Sequence, residues 1–556
     1  MDRKFLLLVV LIFIFMITFI PGKTSANEHY FSLQNHLVRW FEFEENPFYL
    51  QINSSRLQSA DLIYEYYQSR GFKPVWNNRK GINPWAEEFL EILEDSWQDG
   101  LFPEEYHLTS IRLLKIDLKN ADNGYTRSKI LSQIDLLLTD AFFVFISDLM
   151  SGRIDPDDEE RIWVDKNLEK KLMNLLNKVD EKEDPDYIAE IIKKEINFLP
   201  EYDFLKEALA RYRDAKEQGG WPLIEGEEFL RPGDEGKRVK TLRQRLQLEP
   251  DIGSELDTDD DHYDQQLQKA VFNFQSRYGL VLTGMLDENT LQALKISVQE
   301  VIDQIIINME RMRWLSQDPE GTYVVANVPS YNLQFVKEGE HIREERTIVG
   351  TEYRQTPSFS TAISRLVFNP RWYIPRSIAV KDYLPHVKED ISYLEEKNVR
   401  VYENSDSGFT EVDPETIDWD EVTKDNFDLY FWQDSGPWNA LGDVIFQSPS
   451  SNHIYIHDTS NQDLFENRVR TFSSGCVRVH NAMKLAEFFI EHFTDKSQED
   501  MKEILERGKE TSVSLNQRIP LHFTYFTSWI TPRGSVLILD DIYDKDDKLQ
   551  EIYFGV

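Results

Sequence analysis

The chain reads as a multidomain α+β protein: a mostly helical N-terminal scaffold, a small three-helix bundle, and a mainly β domain carrying a capping insertion. Three observations predict this. Up to about residue 225 apolar residues recur at helical spacing, as at Leu62, Ile63, Tyr66 and Tyr67, and again at Leu136, Leu137, Phe142, Phe143 and Ile146. From about Thr322 the period drops to two, in "TYVVANVPSYNLQFV", "RLVFNPRWYIP" and "HIYIH", with β-branched and aromatic residues. Finally, 556 residues at 41% apolar and 13% aromatic content can fill several separate cores, in three or four domains.

The chain begins "MDRKFLLLVVLIFIFMITFIPGKTSAN". Arg3 and Lys4 precede an apolar run from Phe5 to Ile20, broken only by Thr18, and Pro21-Gly22 leads to the small residues Ser25 and Ala26. This is the layout of a secretory signal, residues 1–26, with its cut after Ala26. An uncleaved anchor is the second reading, because the run falls slightly short of the roughly 20 residues that span a bilayer. Either way the body is expected outside the cytoplasm, with membrane contact only through this segment. No later segment reads as apolar enough to span. A formal charge of -36 excludes nucleic acid and anionic membrane surfaces as partners, since phosphate binding needs clustered Lys and Arg.

Residues 28–225 form the helical scaffold, punctuated by "SGRIDP" and without an acid pair, metal cluster or phosphate loop. Residues 229–296 form the bundle: Val239, Leu242 and Leu246 share one helical face, as do Leu267, Ala270, Val271 and Phe274, and a third short helix can be capped by Asp287. Residues 320–495 form the β domain. Within it, about 376–440 is acidic and loop-rich, an insertion ending in "QDSGPWNALG". "AMKLAEFFIEHF" is a helix with Asn481 at its N-cap, and 496–556 is a C-terminal extension packing on the domain.

Chemistry concentrates in "NHIYIHDT" and "SSGCVRV", and the latter holds Cys476, the only cysteine. Alternation along a strand puts His453, Tyr455 and His457 on one face. Four residues of strand separate the two histidines by about 13 Å, so they cannot share a metal ion. Ser473, Ser474 and Gly475 allow a tight turn that brings the Gly475 and Cys476 amides beside the sulfur, the donor geometry an oxyanion requires. A solitary thiol in an exported chain has no internal disulfide partner. It is a buried inert group, a thiol joined to another chain, or a nucleophile, which a nearby His457 can convert to thiolate, with a backbone carbonyl near Asp458 orienting the ring.

His457 followed by Ser473-Ser474-Gly475-Cys476 resembles the signature of the YkuD-type L,D-transpeptidases. "VGTEYRQTPSFSTAISRLVFNPRWYIPRSI", "GPWNALG", "IYIHDT" and "SSGCVRV" resemble the YcbB-like branch, large periplasmic enzymes with a scaffold, a peptidoglycan-binding bundle and a capping insertion. "LRPGDEGKRVKTLRQRL", "FQSRYGL" and "TGMLDENTLQAL" are similar to the bundle, and "YYQSRGFKPVW", "DGLFPEEYH" and "DLMSGRIDP" to the scaffold. Two departures from the broad signature, Ser474 for a His and Arg478 for an Asn, are shared with the YcbB-like branch. In the bundle, Thr283 stands for the usual Asp and Asp287 for a Gly.

The resemblance implies peptidoglycan cross-linking in the periplasm or cell envelope, without metal or cofactor. Cys476 would attack a tetrapeptide stem at meso-diaminopimelate, expel D-alanine, and pass the acyl group to a second meso-diaminopimelate. His457 would act as base and acid, and Tyr455 and Gly475 would hold the oxyanion. Arg478, Ser474, Ser473, Trp372, Trp438 and Asn439 would contact substrate, and the insertion would exclude water. Carbapenems would inhibit. An L,D-carboxypeptidase or endopeptidase using water as acceptor, and a non-catalytic wall-binding protein, remain the other two readings.

Overall fold

The computed structural model describes residues 26–42, 50–78, 80–154, 167–196, 198–249, 256–315, 321–405, 408–449, 453–531 and 534–555. Residues 1–25, which carry the predicted signal up to its cut, lie outside them. The described residues fall into two compact units. One is drawn from residues up to Trp97, Leu101–Ser147 and Asn167–Glu195, the other from Gln98–Gly100, Asp148–Lys166 and Ile196–Val556.

The helix Gly124–Ser151, which belongs to the first unit up to Ser147, is long and apolar enough to cross a membrane, against the expectation that no such segment follows the signal. Yet 89% of its most apolar window is buried within the protein. Buried carboxylates on it also explain its place, since a desolvated carboxylate must be hydrogen-bonded. Asp135 accepts from the Val75 and Trp76 amides and from Asn77 Nδ2, and Asp140 from the Gln58 and Ser59 amides and the Ser59 hydroxyl. It is the unit's core helix, tying loops from earlier in the chain around itself.

The second unit contains the bundle, formed by Lys237–Gln247, Gln265–Arg277 and Glu288–Lys295, whose predicted apolar faces are buried. Asp287 caps the third helix, accepting from the Thr290 amide at 2.9 Å. Thr283 donates to the same carboxylate at 2.8 Å, so the two unusual residues of this bundle bond to each other.

The β domain is built on β1 (Thr322–Asn327), β2 (Asn332–Lys337), β3 (Glu340–Gly350), β4 (Phe359–Phe368), β9 (Val444–Gln447), β10 (Ile456–His457), β11 (Thr471–Ser473), β12 (Val477–Val479) and β13 (Thr511–Thr524). Their order is β11-β3-β12-β10-β9-β4-β13-β1-β2, and β2 also pairs with β3, so the sheet closes on itself. Its interior is filled by Phe335, Leu366, Phe446, Ile456, Val477 and Phe523, with Phe489 and Ile490 of the helix Ala482–Phe493 packed in.

Three expectations are corrected. The chain from 496 onward is not simply an extension, because β13 lies centrally between β4 and β1. The insertion is not loop-rich: β5 (Trp372–Ile374), β6 (Val399–Ser405), β7 (Gly408–Val412) and β8 (Leu429–Gln433) form a second sheet, ordered β7-β6-β8-β5, over a core of Ile374, Val401, Trp419 and Phe431. Asn481 stands at the N-cap position but in the left-handed region, at φ 54°, and its side chain donates to His480 Nδ1 rather than capping the helix.

Candidate active site

The site is built where β10 runs parallel to β12, with Ile456 beside Val477 and His457 beside Arg478. Ile456, Val477 and Val479 enter the core, so alternation turns His457 and Arg478 the other way. Tyr455 and Cys476 immediately precede them, and the Val477 amide donates to the Tyr455 carbonyl at 2.9 Å. Of the face predicted for His453, Tyr455 and His457, His453 is not part. Only Ile456–His457 is strand, and His453 is exposed with φ 54°, so the chain bends there. Its carbonyl lies 3.8 Å from Cys476 Sγ.

His457 is buried, and its Nδ1–H donates to the Asp458 carbonyl at 2.5 Å, as anticipated for the orienting group. Burial, reinforced by the Arg478 charge, pushes the imidazole down to about 3, against the opposing pull of the Asp458 and Leu441 carbonyls. The ring is therefore neutral at physiological pH. Asp458 packs its side chain on Gly442, where a Cβ would come within 2.4 Å, and accepts from the Asp443 amide at 3.0 Å. Gly442, at φ +61°, lets the chain pass close against the Asp458 side chain.

Burial raises the Cys476 thiol, opposed by a hydrogen bond from the Tyr455 backbone amide and by the Arg478 charge. Among the described residues the thiol makes no hydrogen bond to His457. The expected thiolate is thus corrected to a neutral thiol near a neutral imidazole, because desolvation outweighs the single nearby cation. Tyr455 is half-buried, its phenol raised by burial and then by the sulfur. Gly475 sits at φ +110°, and a Cβ there would approach Ile454 Cδ1 to 3.0 Å and the Gln355 carbonyl to 3.3 Å.

Arg478 is largely enclosed, with burial lowering its affinity for the proton. No carboxylate or other protein group among the described residues bonds its guanidinium, and its buried Nε is unpartnered. An unpaired guanidinium held next to a thiol and a neutral histidine is a ready receptor for a ligand carboxylate.

The remaining predicted contacts are placed differently. Ser473 is buried, and its hydroxyl accepts from the Gly475 amide at 3.1 Å, so it shapes the turn and occupies one predicted oxyanion donor. Asn439 is fully buried: Nδ2 donates to the Pro370 and Asp434 carbonyls, and Oδ1 accepts from the Leu441 amide at 2.7 Å. It cannot touch substrate and instead holds the loop that presents Leu441 to His457. Trp372 packs within the insertion against Tyr383. Trp438 is 45% exposed and remains open to solvent. Ser474 is exposed, its hydroxyl accepting from Arg354 at 2.9 Å.

Arg354 and Asp382 were not singled out from the sequence. The Arg354 fork grips the Asp382 carboxylate at 2.5 and 2.7 Å, linking the insertion to the turn that carries Cys476. Thr356 was also missed; its hydroxyl donates to the Gly475 carbonyl at 2.8 Å. Both Arg354 and Thr356 lie in the quoted "VGTEYRQTPSFS", but nothing local in the sequence marks partners so far along the chain.

Comparison with known proteins finds matches along most of the chain. Residues 321–513 match the L,D-transpeptidase catalytic domain (YkuD), 235–294 match a "Putative peptidoglycan binding domain", and 61–209 match a scaffold domain. A "Putative L,D-transpeptidase" of Haemophilus influenzae is 34% identical over 269 residues, 48% of this chain and 53% of that protein, so the match spans about half the length of this curated relative. Among solved structures, an L,D-transpeptidase from Xylanimonas cellulosilytica is 15% identical, covering 54% of this chain and 99% of that one, with a TM-score of 0.17. One from Stackebrandtia nassauensis is 12% identical, covering 55% and 96%, with a TM-score of 0.21. The chain therefore carries a YkuD-family L,D-transpeptidase catalytic domain, together with a peptidoglycan-binding domain and a scaffold domain.

Proposed function

We propose that this protein is an L,D-transpeptidase of the YcbB-like branch, acting outside the cytoplasm, that cross-links peptidoglycan stems between two meso-diaminopimelate residues by acyl transfer through Cys476. The observation that carries this reading is the juxtaposition, on the β10–β12 pair, of the single cysteine, a neutral histidine and an unpaired arginine.

Arg478 receives a carboxylate of the donor stem, which fixes the scissile carbonyl over Cys476 Sγ. Donor binding brings the imidazole to the thiol, a tightening common when a substrate enters an unliganded site. His457 takes the thiol proton as sulfur bonds to the carbonyl carbon, and the oxyanion receives hydrogen bonds from the Tyr455 hydroxyl and the Cys476 amide. Gly475 contributes its amide once that group leaves the Ser473 hydroxyl. Collapse breaks the bond to D-alanine, whose amine departs with the proton from His457. The acceptor amine then attacks the thioester, losing a proton to His457, which returns it to the sulfur. The folded insertion, tied by Asp382 to Arg354, which in turn donates to Ser474, excludes water and so favours an amine over hydrolysis.

Incubating the protein with disaccharide-tetrapeptide tests this. The expected product is a dimer lacking one D-alanine. Tripeptide without dimer would replace the reading with a hydrolase.

A further inference from the structure

Between the turn that follows the helix Gln265–Arg277 and the β domain lies a groove of about 390 Å³, apart from the thiol site. The bundle contributes Val281 and Leu282, each 57% exposed. The β domain contributes Tyr331, Arg346, Arg468 and Arg470. Tyr331 is 8% exposed, yet its buried hydroxyl has no partner. The left-handed backbone at Tyr331, φ 52°, sets its ring 5.1 Å from the Arg470 guanidinium. Among the described residues Arg470 donates to the Thr347, Asn467 and Tyr331 carbonyls and forms no ion pair, although the Glu466 charge reaches it. Arg346 and Arg468 pair with Glu466 and Asp540, both well exposed.

In a chain of formal charge -36, this lining thus sets three arginines against two acids. An unpartnered buried hydroxyl and a cation without an ion pair, in one groove with exposed apolar side chains, call for a ligand with an anionic oxygen and apolar flanks. Arg470 stands six residues before Cys476, so even a fully extended chain keeps the groove within about 22 Å of the thiol.

We propose that this groove binds a carboxylate-bearing stem peptide of a peptidoglycan strand, at a position remote from the bond being exchanged, and so holds the strand against both the bundle and the catalytic domain. The inference rests on peptidoglycan being the substrate, as proposed above. A stem carboxylate bonds the Tyr331 hydroxyl and the Arg468 and Arg470 guanidinium groups, while Val281 and Leu282 cover its apolar part.

The test uses the full chain carrying Cys476→Ala, so that binding is read whatever the thiol does. The probes are soluble glycan strands bearing tetrapeptide stems and the same strands with their stems removed. Tyr331→Phe combined with Arg468→Gln should weaken stem-bearing strands about ten-fold, the loss expected for charge-assisted hydrogen bonds, without affecting stripped strands or the melting temperature. Unchanged affinity for stem-bearing strands, or equal loss on both probes, would overturn the proposal. A wild-type protein that forms no cross-link while showing this binding pattern would remove the proposed reaction and leave the groove.

Discussion

Replacing His457 with Gln is expected to slow acylation of Cys476 by roughly 10²- to 10⁴-fold, the range for loss of a positioned general base. The size follows from the state of the thiol. Burial holds Cys476 above its ordinary value, so the sulfur arrives protonated and its proton must leave during attack. His457 can receive it because burial and Arg478 keep the ring neutral, pushed down to about 3. The pH dependence has a definite sign. An ordinary histidine would protonate on acidification through about 6.5 and lose its base. Here the base persists well below that value, so the acylation rate should stay level from neutral pH to about pH 5. Alkylation by iodoacetamide, which reads thiolate alone, should have its midpoint above the ordinary 8.5 or so. A rate that falls by half near pH 6.5, or an alkylation midpoint well under 8.5, would show that the pair is instead thiolate and imidazolium.

Arg478→Gln is expected to reduce kcat/KM for the tetrapeptide donor roughly 30- to 1,000-fold, as when one partner of an enclosed charge pair is lost. Most of the loss should appear in KM, because the guanidinium is assigned to the donor carboxylate and not to the proton transfers. A second readout separates this from simple damage. The Arg478 charge lowers both Cys476 and His457, so its removal should move both titrations upward. A donor amidated at its carboxylate should discriminate far less between wild type and variant. Equal loss with the amidated donor would mean that Arg478 acts only through the thiol and the histidine.

Much of this was legible in the sequence because its signals are local. Val239, Leu242 and Leu246 mark a buried helical face within eight residues, and Asp287 stands three residues before the amide it caps. Cys476 and His457 stood out by motif alone. What could not be read depends on pairings across the chain. The insertion looked like loops because a strand such as Gly408–Val412 is exposed along most of its length and is held as structure by β6. Thr511–Thr524 hides a central strand behind polar residues and Pro520, whose place opposite Ala362 is set by the register with β4. The alternation inferred for "HIYIH" failed at His453, where the chain turns left-handed and the periodicity of two no longer applies. Asn439 reads as a polar residue of a loop over the cleft, yet its bonds all run inward to the loop's own backbone and to Pro370. The Arg354–Asp382 link joins residues 28 positions apart, and no pattern in either segment announces the other.

The central claim is that the one thiol of this chain carries the acyl group between donor and acceptor. Intact-mass measurement after acid quenching tests it without background, because Cys476 is the only cysteine. With tetrapeptide donor and no acceptor, wild type should gain the mass of the stem less D-alanine. A carbapenem, whose strained carbonyl stands in for the donor peptide, should add one acyl group. Cys476→Ala should gain neither. An adduct that survives loss of Cys476, or cross-linked product formed by Cys476→Ala, would contradict the account.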